Sequence, residues 1–343
     1  MLAPVNEPVA VDVRDLTVVY RTGDVELAAV TRVNIDLVPG EITGLVGESG
    51  SGKSTLALAL LNAVPDPGRV AAGSIEVTGL GDVTKLKGKK LRHARGETLG
   101  YVFQASQNSL NPLKPVGKQL LDLGRSHDVR DLRALVADAR SLADEMGLDG
   151  KRVLAAYQHE LSGGMRQRVG IIFALVLNAR VLILDEPTTA LDMLSQAAVL
   201  SIVKRVHAER ALTTLIVTHD MGVIAEVADR LAVMYGGRIV EDGPAERILR
   251  EPQHPYTRGL IGAMPRIVGD PDEAQSLPGR PPDLATLEKH GCVFRSRCTL
   301  RMDICDTVDP PLVEVGPRRR VACHAVVHDE ASDVSLTKVG SRA

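Results

Sequence analysis

A glycine-rich turn between an apolar strand and a helix is the feature that most constrains how this chain can fold. Residues 47–54 read GESGSGKS, which fits G-x-x-x-x-G-K-[ST], between the strand-like EITGLV and the helix-like TLALALLNAV. In such a turn successive backbone N–H groups point at phosphate oxygens, and the following helix directs its positive end at the same anion. We expect Lys53 to hold the β and γ phosphates of a nucleotide and the Ser54 hydroxyl to bind Mg²⁺. The other residues of this segment expected to contact the nucleotide are Gly47, Ser49, Gly50, Ser51, Gly52 and Thr55.

A second apolar strand ends in two acids, in the run VLILDE at 181–186. Ligands of open α/β sheets bind at the carboxyl ends of the strands, which would place these acids beside the phosphate loop. We expect Asp185 to position Mg²⁺ and Glu186 to orient and deprotonate the water that attacks the γ-phosphate. An apolar strand followed by Asp-Glu is usually structural when it stands alone. Together with the phosphate loop it indicates a site for nucleotide hydrolysis.

A second anion-binding turn occurs in LSGGMRQ at 161–167. Its serine and glycines precede a helix, so a hydroxyl and free amides would lie at a helix N-terminus. Two phosphate-binding turns are too many for one nucleotide in a simple nucleotide hydrolase. The residues of this turn expected to bind the nucleotide are Ser162, Gly163, Gly164 and Gln167.

At this point the chain resembles the nucleotide-binding subunits of ABC transporters, because LSGGMRQ is similar to their signature motif. The resemblance implies an α/β P-loop ATPase core of the RecA-like type, with an antiparallel β subdomain and an inserted α-helical subdomain at about 106–165. The alternating residues of 9–20 suit the first of these subdomains, and the amphipathic run DVRDLRALVADARSLADEMGL suits the second. The resemblance further implies that each ATP lies between the phosphate loop of one subunit and the signature of another. The chain would therefore act as a dimer with itself or with a sister ATPase.

Four further site residues follow from the resemblance alone. Tyr20 would stack on adenine, and Gln104 would sense Mg²⁺ and contact the transmembrane partner. Asp192 would couple the two active sites, and His219 would contact the γ-phosphate. The expected catalytic residues are Glu186, His219, Lys53 and Gln104, and the expected magnesium residues are Ser54, Gln104 and Asp185.

The C-terminal third carries a narrower resemblance, to the ATPases of oligopeptide/dipeptide importers. Its basis is three segments, HPYTRGL (254–260), LPGRPP (277–282) and GCVFRSRC (291–298). We expect a nucleotide-binding domain at 1–255, an extension at 256–328 and a flexible tail at 329–343. Peptide as the solute follows from the extension only, so nickel, sugars or other solutes stay open.

The four cysteines lie in the last sixth of the chain, spaced C-x5-C-x6-C-x17-C. Structural zinc sites usually contain a pair separated by two to four residues, which is missing here. Four thiolates from several turns suit an iron–sulfur cluster, and the resemblance also implies a [4Fe-4S] cluster. Zinc and unmetallated thiols are the alternatives. The expected cluster residues are Cys292, Cys298, Cys305 and Cys323.

The composition and net charge of the chain limit the classes of partner that it can have. The net charge is −2 and aromatic residues make up 2% of the chain, so we expect no nucleic-acid partner, and we expect the basic run 85–95 and Arg318 to Arg320 to be solvated. We find no run of apolar residues long enough to span a membrane and no signal peptide.

The resemblance implies a place on the cytoplasmic face of the membrane, bound to two permease subunits and a second ATPase, with an extracytoplasmic peptide-binding protein. A soluble ABC ATPase acting on DNA or ribosomes is the alternative from another class.

Overall fold

The computed structural model describes residues 8–104, 109–189, 191–263, 277, 279–280 and 290–327. The tail predicted at 329–343 and the start of the helical subdomain predicted at 106–108 lie outside these residues. In the described part of the chain, no helix is at once long and apolar enough to cross a bilayer.

Twelve strands in the described segments form two sheets. They are β1 (Val11–Thr22), β2 (Val25–Leu37), β3 (Ile42–Val46), β4 (Gly68–Val77), β5 (Gly81–Asp82), β6 (Leu99–Val102), β7 (Val181–Asp185), β8 (Thr213–Val217), β9 (Arg230–Tyr235), β10 (Arg238–Pro244), β11 (Val313–Gly316) and β12 (Arg319–Val321). The smaller sheet has the order β2-β1-β4-β5 and is antiparallel. Val11 and Val13 of β1 are buried, as the alternation of its sequence predicts.

The larger sheet has the order β11-β12-β10-β9-β3-β8-β7-β6. Its centre is parallel from β9 to β6, and every residue of β3, β7 and β8 is buried. Such continuous apolar strands are typical of parallel strands that are covered on both faces. The carboxyl ends of β3 and β7 therefore lie at the same edge. The phosphate loop follows β3, Asp185 is the last residue of β7, and Glu186 comes directly after it. The two sheets together confirm the predicted α/β fold.

Eleven α-helices accompany the sheets in the described segments. They are α1 (Lys53–Leu60), α2 (Gly88–Glu97), α3 (Val116–Ser126), α4 (Leu132–Glu145), α5 (Gly150–Ala155), α6 (Gly163–Leu175), α7 (Met193–Arg210), α8 (Met221–Val227), α9 (Ala245–Arg250), α10 (Pro255–Gly262) and α11 (Ile304–Thr307), with 3₁₀ turns at Val83–Lys85, Gln158–Glu160 and Arg295–Arg297. Helices α3 to α5 pack around Leu120, Leu142 and Met146, which form the core of the helical subdomain. Asp131 caps α4 by accepting hydrogen bonds from two amides of its first turn.

The C-terminal extension adds two strands to the larger sheet. Strand β12 pairs antiparallel with β10, and β11 pairs with β12. Arg319 is buried and donates to the carboxylate of Glu241, which is fully buried, at 2.6 Å. The prediction that Arg318 to Arg320 form a solvated face is therefore wrong for Arg319. Because β12 packs on the edge of the sheet, the side chain of Arg319 points inward, whereas that of Arg318, just before the strand, stays exposed.

Candidate functional site

The phosphate loop connects β3 to α1 through close backbone packing. A Cβ on Gly47 would lie 2.1 Å from the carbonyl oxygen of Met234, so this position has no space for a side chain. Gly52 has a φ of 100°, and a Cβ there would lie 2.2 Å from the carbonyl oxygen of Ala29. The glycines are therefore required by the fold of the loop itself.

Lys53 folds back onto the loop. Its Nζ donates to the carbonyl oxygens of Gly47 and Glu48 at 2.8 and 2.9 Å, and to Oγ of Ser51 at 3.5 Å. Burial lowers the pKa of the Lys53 ammonium, and nearby carboxylates, above all that of Glu186, act in the opposite direction. The loop thus holds a buried cation at the N-terminus of α1, which suits an anionic ligand.

Ser54 and Asp185 meet at the adjoining ends of α1 and β7. The Ser54 hydroxyl donates to Oδ1 of Asp185 at 3.1 Å, and the Tyr101 hydroxyl donates to Oδ2 at 2.9 Å. Burial raises the pKa of Asp185, although both of these hydrogen bonds act to lower it. The result is a buried carboxylate that a cation would stabilise.

Glu186 collects three polar side chains from three segments of the chain. The Gln104 amide donates to Oε2 at 3.0 Å, the Thr189 hydroxyl donates to the same oxygen at 2.8 Å, and Nδ1 of His219 lies 3.1 Å from Oε1. Burial acts to raise the pKa of Glu186, but the hydrogen bonds from Thr189 and His219 outweigh it, and the pKa falls below its ordinary value. Glu186 is therefore an oriented carboxylate that stays ionised.

The backbone of Glu186 is strained. Its φ is 49°, in the left-handed region that a residue with a side chain rarely adopts, and its N–H donates to the carbonyl oxygen of Val217 at 2.8 Å. Strain of this kind is concentrated at functional sites, where the surrounding structure holds the residue in place. The bend after β7 turns the carboxylate toward the phosphate loop.

A pocket of about 300 Å³ joins these groups. It is lined by Tyr20, Ala29, Ser49, Gly50, Gly52, Lys53, Ser54, Thr55, Gln104 and Glu186. The structure thus brings Tyr20, the phosphate loop and Glu186 around one cavity. Gly47, Ser51, Asp185 and His219 lie next to these lining residues and contact them.

The signature residues lie elsewhere. Ser162 caps α6 by accepting a hydrogen bond from the Met165 amide at 3.3 Å, Gly163 begins that helix, and Gln167 is buried in it. Asp192 caps α7, accepting from the amide of Ser195 at 2.8 Å, and Ser195 in turn lies 3.6 Å from where a Cβ of Gly164 would be. Within the described residues, this group shares no lining residue with the pocket around Lys53. In this chain the two anion-binding turns predicted from the sequence therefore lie apart.

Tyr101 and Thr189 are site residues that sequence reasoning missed. Tyr101 lies on β6, opposite Ile183 in the register with β7, and reaches the acid two residues further along that strand. Its only signal was its place on the strand before Gln104. Thr189 comes three residues after Glu186, in the turn that follows β7, and no motif of the sequence marked it.

Comparisons with known proteins show the family to which the chain belongs. Residues 30–189 match the ABC transporter family, and residues 240–305 match the oligopeptide/dipeptide transporter C-terminal region. A Brucella melitensis relative named as a peptide import ATP-binding protein is 41% identical over 325 residues, which cover 91% of this chain and 96% of the relative. The oligopeptide transport ATP-binding protein of Salmonella typhimurium is 38% identical over 328 residues, which cover 95% and 97%. These matches confirm the predicted family.

Solved structures share the fold. The dimeric structure of a bacterial ABC transporter cassette has a TM-score of 0.59 and 24% identity, and the match covers 68% of this chain and 98% of that chain. A second dimeric structure, of a post-hydrolysis state with ADP and Pi bound, has a TM-score of 0.59 and 25% identity, with the same coverage.

The prediction of a [4Fe-4S] cluster at Cys292, Cys298, Cys305 and Cys323 is wrong, as is its zinc alternative. All four cysteines lie within 290–327, and among the described residues no group of His, Cys, Asp or Glu is arranged to hold a metal ion. The names of the relatives describe ATP binding and peptide transport and mention no cluster.

The physical reason lies in how the thiols pack. Cys292 and Cys305 belong to an apolar cluster with Val293 and Phe294, and the Cys292 amide donates to the carbonyl oxygen of Cys305 at 2.8 Å. Burial raises the pKa of Cys292 to about 11 and also raises that of Cys298, so these two thiols are neutral at pH 7. They behave as small hydrophobic side chains.

Proposed function

Because this chain belongs to the ABC transporter family, in the branch with the oligopeptide/dipeptide transporter C-terminal region, we propose that it hydrolyses ATP to power peptide import. The observation that carries the proposal is the convergence of Gln104, Thr189 and His219 on the carboxylate of Glu186, in the pocket that holds Lys53. This arrangement suits a reaction in which one water is activated beside a polyphosphate. Peptide as the solute rests on the named relatives.

Each residue around the pocket has a proposed part in the reaction. Glu186 accepts a proton from the water that attacks the γ-phosphate in line, since it is ionised and held in one orientation. Lys53 and His219 stabilise the charge that develops on the transferred phosphoryl group. Tyr20, at the pocket wall, stacks on the adenine ring. Ser49, Gly50, Gly52 and Thr55 surround the phosphates.

Magnesium fits the residues between α1 and β7. The Ser54 hydroxyl and the Asp185 carboxylate lie 3.1 Å apart and offer oxygen ligands, as magnesium prefers. Burial raises the pKa of Asp185 because it disfavours the charged carboxylate, and a bound divalent cation would offset that cost. Magnesium, when bound there, neutralises charge on the β and γ phosphates. Gln104 was predicted to contribute as well, and its amide donates to Glu186 in this structure.

A second ATPase subunit is proposed because the pocket and the signature are separate in one chain. Ser162, Gly163 and Gly164 at the N-terminus of α6 would close over the ATP of the partner subunit. Met193 and Leu194 beside Asp192 are 87% and 85% exposed, so an apolar pair stands at the edge of this surface. We assign this surface, including Asp192, to contact between the two subunits.

Attachment to the membrane is proposed to occur through permease subunits on the cytoplasmic face, with an extracytoplasmic peptide-binding protein delivering the solute. We further propose that residues 1–255 form the nucleotide-binding domain and residues 256–328 the extension.

The test is to tag the chain at its native level, solubilise membranes gently and identify the proteins that co-purify. We expect two multi-span permeases and either a second copy of the chain or a sister ATPase. Recovery with ribosomes or DNA-repair proteins in the soluble fraction would contradict import and leave the ATPase chemistry in place. A matched purification in which Lys53→Ala removes the phosphate-binding cation checks that recovery of the permeases does not require turnover.

A further inference from the structure

The C-terminal extension reaches into the phosphate loop at Glu48, the second residue of GESGSGKS. Nη1 of Arg297 donates to Oε2 of Glu48 at 2.7 Å, and Nη2 donates to Oε1 at 3.0 Å, so the two groups form a two-pronged ion pair. The backbone N–H of Glu48 donates to the hydroxyl of Tyr256 at 2.9 Å. Glu48 is thus held at both its side chain and its backbone by residues some 200 positions or more away in the chain.

The contact with Arg297 is protected from solvent. Only 5% of the Arg297 side chain and 19% of the Glu48 side chain are exposed. The guanidinium lies 5.7 Å from the ring centre of Tyr235 and 6.0 Å from that of Phe294, and these rings pack with Tyr256. A charged pair in such surroundings is screened little by salt, and removing one partner leaves the other charge poorly compensated.

Lys53 binds the same peptide unit as Tyr256, the one between Gly47 and Glu48, at its carbonyl oxygen. Its Nζ donates to the carbonyl oxygens of Gly47 and Glu48, while Tyr256 accepts from the amide of Glu48. The orientation of the Glu48 peptide therefore determines where the carbonyl oxygens that hold Lys53 lie. If the contacts of Glu48 with Arg297 and Tyr256 are lost, the phosphate loop becomes more mobile. Nucleotide binding must then order the loop, which lowers the affinity.

We propose that Arg297 and Tyr256 are positioning residues for the phosphate loop, through which the extension sets the affinity of the chain for MgATP. The inference rests on the proposed function, because it takes the ligand of the loop to be ATP. The extension is thereby part of the nucleotide site, although none of its described residues lines the pocket.

The experiment measures equilibrium binding of MgATP to the full chain and steady-state hydrolysis for a set of single variants. We expect Arg297→Ala to weaken MgATP binding by about tenfold or more, as loss of a charge-assisted pair would, with a smaller change in kcat than in KM. Arg297→Lys keeps the positive charge but cannot form the two-pronged ion pair with Glu48, so it should bind MgATP with intermediate affinity. Tyr256→Phe removes one hydroxyl and should weaken binding by about threefold. Arg301→Ala is the matched control, since Arg301 is a half-exposed arginine of the extension that pairs with Asp306.

A double-mutant cycle separates positioning from folding. In a Glu48→Gln background, Arg297→Ala should have much less effect on MgATP affinity, because the partner charge is already gone. An equal effect in both backgrounds would mean that Arg297 acts only through the folding of the extension, and the inference would be wrong. It would also be wrong if Arg297→Ala and Tyr256→Phe both bind MgATP as the wild type does. Failure of the wild type itself to bind MgATP would instead overturn the proposed function, and this inference with it.

Discussion

The side-chain amide of Gln104 donates to the carboxylate of Glu186 at 3.0 Å, joining the end of β6 to the residue that follows β7. The contact orients the proposed base without supplying a charge.

Replacing Glu186 by Gln should abolish turnover and spare binding. The amide has nearly the volume of the carboxylate but cannot accept the proton, so we expect kcat to fall by about 10²–10⁴. Phosphate release and equilibrium MgATP binding, measured on the same preparations, check this. The control is Glu209→Gln, at an exposed residue of α7. If Glu186→Gln hydrolyses ATP as fast as this control, the assigned role of Glu186 is contradicted.

The acid side of the pH profile should depend on Thr189. Its hydroxyl lowers the pKa of Glu186, so Thr189→Val should raise that pKa. Since only the ionised form acts as a base and it is lost as pH falls through the pKa, the acid limb of kcat should move to higher pH. Thr189→Ser keeps the hydroxyl and should restore the wild-type limb. An unmoved limb in the valine variant would show that another group governs the acid side.

Tyr101→Phe should weaken magnesium binding. The Tyr101 hydroxyl donates to Oδ2 of Asp185 at 2.9 Å, so without it the carboxylate is less firmly oriented for a cation. Outer partners of metal ligands commonly affect affinity by about 10–100-fold, and we expect the Mg²⁺ concentration for half-maximal hydrolysis to rise by about tenfold. Titration of Mg²⁺ at fixed ATP measures it. The control is Tyr157→Phe, at a tyrosine that is 38% exposed, which should leave the titration unchanged.

The packing of the extension on the sheet should depend strongly on Arg319 and very little on Arg318. Arg319→Ala leaves the buried carboxylate of Glu241 without its cation, which we expect to destabilise the packing of β11 and β12 by about 3–5 kcal/mol. Arg318→Ala removes an exposed pair with Glu41 and should cost about 0.2–1 kcal/mol. Hydrogen exchange over 313–321 measures both, with β7 as the internal reference. Equal exchange in the two variants would contradict the assigned role of Arg319.

The local parts of the site could be predicted from sequence because short patterns determine them. The phosphate loop and the pair Asp185-Glu186 each lie at the end of an apolar strand, and parallel strands bring such ends to one edge. Tyr101 could not be found this way, since its contact with Asp185 depends on the register between β6 and β7. The same holds for Arg297, whose partner lies 249 residues away.

The cysteines and the late arginines show why spacing alone can mislead. Four thiols within a short stretch suit a cluster only if they are arranged around one metal site, and no such arrangement occurs among the described residues. Cys292 is instead buried in an apolar cluster and stays neutral. The arginine run suggested a solvated face, but Arg319 lies on a strand of three residues, too short to leave a periodic pattern. In both cases the packing partner, which the local sequence does not contain, decided the outcome.

The pairing of β12 with β10 has a consequence for any shortened form of this chain. Ending the chain near residue 255 would remove both outer strands, and β10 would then present an open row of N–H and C=O groups. Such an edge can template pairing with another polypeptide, so a truncated chain should be prone to aggregate. Glu241 would also lose the cation that now faces it across that edge. The last two strands thus protect the solubility of the ATPase core.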